Sequence, residues 1–88
     1  MEKQRIGIQR IRALSIQQIV SFVQKANEFE SRIWVEYESH KMNAKSLLGM
    51  LNIGLQPEKT VVLEAAGIDQ LDALEDLSRL LQSEAAAV

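Results

Sequence analysis

The segment Arg12-Ala13-Leu14-Ser15-Ile16-Gln17-Gln18-Ile19-Val20 marks where an irregular segment becomes a helix. Ser15 precedes the first apolar position and Gln18 follows three residues later, the Ser-x-x-Gln spacing of a capping box. From there the apolar positions run Ile16, Ile19, Val20, Val23 and Ala26, the stripe of an amphipathic helix. Upstream, Ile6 and Ile8 alternate within residues 2–9, which predicts a half-buried strand. Residues 10–14 join the two as a loop.

Downstream the periods alternate again. Ile33, Val35 and Tyr37 interleave with Arg32, Trp34 and Glu36, predicting a strand over 32–37 with one face inward. Glu38-Ser39-His40 is a polar turn, and Lys41-Met42-Asn43 returns as a short strand. Ser46 opens a short helix, Leu47 to Ile53, that Gly54 stops. Gln56-Pro57-Glu58-Lys59 is a turn, and Thr60 to Ala65 suits a central strand. Gly67 ends it. Asp69 is placed to cap a last helix whose stripe is Leu71, Leu74, Leu77 (with Ala73) and Leu81. The tail Ala85-Ala86-Ala87-Val88 is expected to fray. Helices between strands, over a sheet four strands wide, predict an α+β open-faced sandwich with the helices on one sheet face. Patterning leaves the strand order open.

Eighty-eight residues make a single domain, 1–88, that is 47% hydrophobic. That suffices for one core and not for a deep cleft walled by two layers. The chain has no cysteine, so disulfides, thiolate chemistry and sulfur-built metal sites are excluded. With no run of about 18 apolar residues and no signal peptide, a cytoplasmic protein without a membrane span is expected. A net charge of −2 argues against a direct grip on nucleic acid. The charge is uneven. Residues 1–45 carry eight Lys/Arg against five Glu, and residues 46–88 carry two against seven Asp/Glu. Arg10 and Arg12 precede Ser15, and Lys45 precedes Ser46. Both are solvated surface or a modest positive field for phosphate or an acidic partner.

A second serine segment, Asn43-Ala44-Lys45-Ser46-Leu47-Leu48-Gly49, completes an ordered set of landmarks. The others include Phe22-Val23-Gln24-Lys25-Ala26, Val35-Glu36-Tyr37, Gly49-Met50-Leu51, Gly54-Leu55, Val61-Val62-Leu63, Gly67-Ile68-Asp69 and Asp72-Ala73-Leu74. At this spacing the chain resembles HPr, the histidine-containing phosphocarrier of the sugar phosphotransferase system. The resemblance spans essentially the whole chain. It implies a four-stranded antiparallel sheet covered on one face by three helices. It also places Ser15 where the family has its carrier histidine. Gln17 falls where the family has an arginine, Gln18 where it has proline, and Ala13 where it has glycine.

A serine hydroxyl is a poor nucleophile without a neighbouring base, and its phosphate ester is a poor donor. His40 is distant in sequence. The chain is therefore expected to lack carrier activity and to be no enzyme, with no catalytic residue, metal or cofactor. The plain role of Ser15 is the helix cap; the alternative is an unrecognised phosphoserine. The resemblance implies that Ser46 is a regulatory phosphorylation site. It further implies partner contacts at Leu47, Leu48, Leu51, Lys45 and Gln17. The implied partners are a serine kinase of the HPr kinase/phosphorylase type and a LacI-type catabolite control repressor. Only one side of the 47–53 helix can face the core, so some of Leu47, Leu48 and Leu51 are expected to be exposed. The whole resembles the catabolite-repression branch of HPr, a corepressor lacking the carrier histidine. The alternative is a degenerate interaction module that is not phosphorylated at Ser46.

Overall fold

The computed structural model of this protein describes residues 2–54, 56 and 59–86. Leu55, Pro57, Glu58, Ala87 and Val88 of the sequence expectations lie outside the described residues, as does the side chain of Arg10. The elements are β1 (Gln4–Ile11), α1 (Ile16–Ala26), β2 (Arg32–Tyr37), β3 (His40–Asn43), α2 (Leu47–Gly54), β4 (Lys59–Ala66) and α3 (Gln70–Ala86). The strands form one sheet in the order β1-β4-β2-β3, and every neighbouring pair is antiparallel. β4 is central, as its apolar run predicts. The α+β open-faced sandwich expected from the order of elements is the fold observed.

The alternation of β2 explains how the layers meet. Ile33 and Val35 are 1% exposed and face the helices. They sit beside Ala65 and Leu63 of β4, in register. Against them pack Ile19, Phe22, Val23 and Ala26 of α1, Met50 and Ile53 of α2, and Ala73, Leu74, Leu77 and Leu81 of α3. Phe22 is 1% exposed, and burial of such a ring is among the larger stabilising contributions in a small domain. Arg32, Trp34 and Glu36 point to the other sheet face.

Several sequence expectations shift. β1 runs to Ile11, past the predicted loop start at residue 10. Ile8 pairs with Val61, and Ile11 pairs with Lys59. One extra residue on β1 makes a bulge there, which turns Ile11 inward although it lies at an odd spacing from Ile8. His40 belongs to β3, paired with Tyr37, so the turn is Glu38-Ser39, with Glu38 at φ 57. Lys59 opens β4 rather than closing the preceding turn. α3 is helical through Ala86. Two stripe residues are exposed instead of buried: Ile16 at 62% and Leu71 at 67%. At about 100° per residue, each falls at the margin of the arc its helix buries. In α1, Phe22 takes a core place instead.

Asp69 holds the position before α3, and its carbonyl accepts from Ala73 N at 2.9 Å. Its carboxylate, however, works across the fold instead of capping α3. It accepts from Glu30 N and Ser31 N, each at 2.9 Å, and from the Ser31 hydroxyl. The Ser31 hydroxyl and the Glu30 amide hold the carboxyl below its usual value, against a smaller opposing effect of burial. A carboxyl lowered on folding adds stability above its unfolded value and loses it as pH falls through the folded one. Asp69→Asn is therefore expected to lower the urea midpoint at pH 7. The gap to the parent should shrink as pH falls below the ordinary carboxylate range. Urea titrations of both proteins at pH 7 and pH 3 check this; an equal gap at both would contradict it.

Candidate interaction surface

Ser15 and Ser46 stand at the two ends of one structural unit. α1 and α2 run side by side in opposite directions. At one end Leu14 N donates to Gly54 O at 2.8 Å, joining the Ser15 loop to the end of α2. At the other, Asn27 Nδ2 donates to Lys45 O at 3.2 Å, joining the end of α1 to the start of α2. Gly54 makes this approach possible. A Cβ there would lie 2.8 Å from Cδ1 and Cγ1 of Ile19. The two serines are thus separated by the length of α2, roughly 12 Å for eight residues.

Ser15 forms the complete capping box that its sequence predicts. Its Oγ accepts from Gln18 N at 3.1 Å, and its own amide donates to Gln18 Oε1 at 2.8 Å. The hydroxyl is exposed and its bonding is to a helix amide. Nothing in that arrangement draws the proton from Oγ, so the geometry performs capping rather than nucleophilic chemistry. Gln17 is exposed at the second position of α1.

Ser46 is likewise a cap. Its Oγ accepts from Gly49 N at 3.3 Å, and its carbonyl accepts from Met50 N at 3.0 Å. It is half-buried. The following leucines divide between surface and core. Leu47 is 42% and Leu48 82% exposed, whereas Met50 and Ile53 are buried and Leu51 is half-buried against the core. A shallow groove of about 580 Å³ runs along this side, lined by Met42, Leu48, Gly49, Leu51, Asn52 and Gln56. The first turn of α2 carries no acidic residue.

Lys45 is placed differently from what adjacency to Ser46 suggests. Its Nζ donates to Phe29 O at 2.6 Å, just past the end of α1. The ammonium thus ties the two helices together. Two polar residues that sequence reasoning missed do similar work: Asn27, already described, and Lys59. Lys59 is 6% exposed, and its Nζ donates to Arg12 O at 3.3 Å and Gln56 O at 3.1 Å. Burial pushes its ammonium below the usual lysine value. It pins the loop that leads to Ser15. No periodicity signals a buried lysine; only its place opposite Ile11 in the sheet shows it.

The fold and the site together define a small open-faced sandwich that carries a serine cap at the start of each of α1 and α2. Comparison with known proteins gives the family. The family described as the PTS HPr component phosphorylation site matches residues 3–83. The HPr-like protein Crh of Bacillus subtilis is 33% identical over 84 residues, 96% of this chain and 99% of that protein. A crystal structure of HPr-C-His from Thermoanaerobacter tengcongensis matches with a TM-score of 0.81 at 34% identity, covering 100% of this chain and 99% of that one. The solution structure of Crh, the Bacillus subtilis catabolite repression HPr, matches with a TM-score of 0.77 at 32% identity, covering 94% and 99%. The chain belongs to the HPr family. Among its described residues no helix is long and apolar enough to cross a membrane.

Proposed function

We propose that this protein is a regulatory member of the HPr family that signals by docking, is switched by phosphorylation of Ser46, and passes no phosphate through residue 15. The similarity to Crh, a protein named for catabolite repression, supports a role in carbon catabolite control as a corepressor. The observation that carries the reading is the pairing of a capping hydroxyl at Ser46 with the exposed Leu47 and Leu48 beside it. A phosphate on Ser46 would carry nearly two negative charges at the positive end of α2. It would meet the amide of Gly49, with no acidic side chain in the first helical turn to repel it. The product is an anionic anchor next to an apolar ledge. A serine kinase of the HPr kinase type would install it, and a LacI-type repressor with basic groups near an apolar pocket would read it.

The test is a mass measurement after incubation with ATP and an HPr serine kinase. One added phosphate is expected on the parent and none on Ser46→Ala. No added mass on the parent would favour an interaction module that works without phosphate. A pull-down with the repressor, with and without phosphate, then tests the partner. Leu48→Ala is expected to weaken that capture while leaving the fold intact, since its side chain is 82% exposed.

A further inference from the structure

The sheet face away from the helices holds a group that neither the core nor the serines explain. Glu64, on central strand β4, is 2% exposed. A carboxylate this buried is costly unless cations surround it. Three do so, from both edges of the sheet. From the β1 side, Lys3 Nζ lies 3.8 Å and Arg5 Nε 3.6 Å from Oε1. From β3, Lys41 Nζ lies 2.6 Å from Oε2. Trp34 of β2 is the direct cross-strand neighbour of Glu64, and Lys41 Nζ also stands 4.8 Å from its ring centre. Arg5 further donates to Glu36 of β2 at 2.9 Å. Among the described residues, Oε2 has no partner besides the Lys41 ammonium.

We infer that Glu64 is an electrostatic latch, in which one buried carboxylate on the central strand fastens both edge strands, β1 and β3, to the sheet. The placement favours this over a local surface pair. β1 touches β4 directly, but β3 is separated from β4 by β2. Lys41 therefore reaches across β2, over Trp34, to the same carboxylate that Arg5 and Lys3 meet from the opposite side. Burial opposes ionisation of Glu64. The hydrogen bond and charge of Lys41, then the charges of Lys3 and Arg5, outweigh it and hold the carboxyl below its usual value. The latch is thus charged at neutral pH. It also lies behind the docking side, because β1 continues directly into the Arg12–Ser15 segment. It does not rest on phosphorylation of Ser46.

Amide hydrogen exchange of the full chain, followed residue by residue at constant pH, tests the latch. Glu64→Gln is expected to speed exchange in β1 and β3 at least tenfold more than in α1 and the centre of β2. The single-cation variants separate the two arms. Arg5→Met should loosen β1 and leave β3 near the parent rate, and Lys41→Met should do the reverse. Glu36→Gln, which removes the other partner of Arg5, should have the smaller effect on β1. The inference is overturned if Glu64→Gln leaves the edges at parental rates, or if it speeds all elements by one common factor. Should Glu64→Gln fail to fold, Arg5→Met and Lys41→Met decide. Edge-selective loosening supports the latch, and any other pattern, including no change, refutes it.

Discussion

Gly67→Ala is expected to destabilise this domain by about 3 kcal/mol, at the upper end of the cost of overpacking a tight site. A Cβ at residue 67 would stand 2.5 Å from both Cα and Oγ of Ser31 and 2.8 Å from its Cβ. Backbone is the obstacle, so no side-chain rotation relieves the clash. Nor can Ser31 retreat cheaply. Its amide and hydroxyl are both held by Asp69, and it is 1% exposed. Moving it would break the cluster that joins the end of the 27–31 turn to the start of α3. Residue 67 also sits at φ +157, where a side chain adds strain. For a domain of this size the loss corresponds to a fall in Tm on the order of 15 °C. Gly7→Ala is the matched control. Nothing lies within 4 Å of a Cβ there, and an alanine in a strand is entropically easier to order. Thermal and urea unfolding of the two variants should separate them sharply. A Gly67→Ala protein with the parent's midpoint would mean that the Ser31 approach is looser than these distances state.

The contrast between those glycines shows what a sequence can and cannot carry. Both read as strand or strand-end residues, and only the approach of Ser31, 36 positions earlier in the chain, makes one of them indispensable. Local features were legible. The alternation of Ile33 and Val35, the capping box at Ser15 and the cap at Ser46 depend on residues a few positions apart, and the structure holds each of them. Features set by pairing were not. The β1 bulge that turns Ile11 inward is a property of its register with β4. Resemblance to HPr supplied an antiparallel four-stranded sheet, but the order β1-β4-β2-β3 is read from the structure, because hydrophobic alternation is the same whichever neighbour a strand has. Charges were the least legible. Lys59, assigned to a turn, and Glu64, within the run assigned to a central strand, are both buried, one beside backbone carbonyls and one among three cations. At the candidate site, α2 was legible as apolar on too many sides. The division that leaves Leu48 outward and Met50 inward is decided by which face of α2 meets the core.

The parent chain is expected to take no phosphate from phosphoenolpyruvate and the energy-coupling enzyme of the phosphotransferase system, and Ser15→His is expected to take some. Ser15 is exposed, at the first turn of an 11-residue helix whose amides favour an anion. The position is thus electrostatically suitable; what it lacks is the acceptor atom. An imidazole nitrogen titrates near neutrality and forms a P–N bond of high transfer potential, whereas a serine hydroxyl forms a stable ester. The histidine alone should react slowly, because Gln17 offers no cation to the phosphoryl group. Adding Gln17→Arg restores a charge-assisted contact worth roughly 1.5–3 kcal/mol, and so one to two orders of magnitude in rate if it acts in the transition state. Loss of the Ser15 cap costs about 1 kcal/mol, which a urea midpoint will register without unfolding the protein. Labelled phosphate, tested for acid lability, gives the readout for all three proteins. Acid-labile label on the parent would mean that another residue carries phosphate. A folded double variant that stays unlabelled would mean that the surface around Ser15, and not only its missing nitrogen, has diverged from the one a phosphate donor meets.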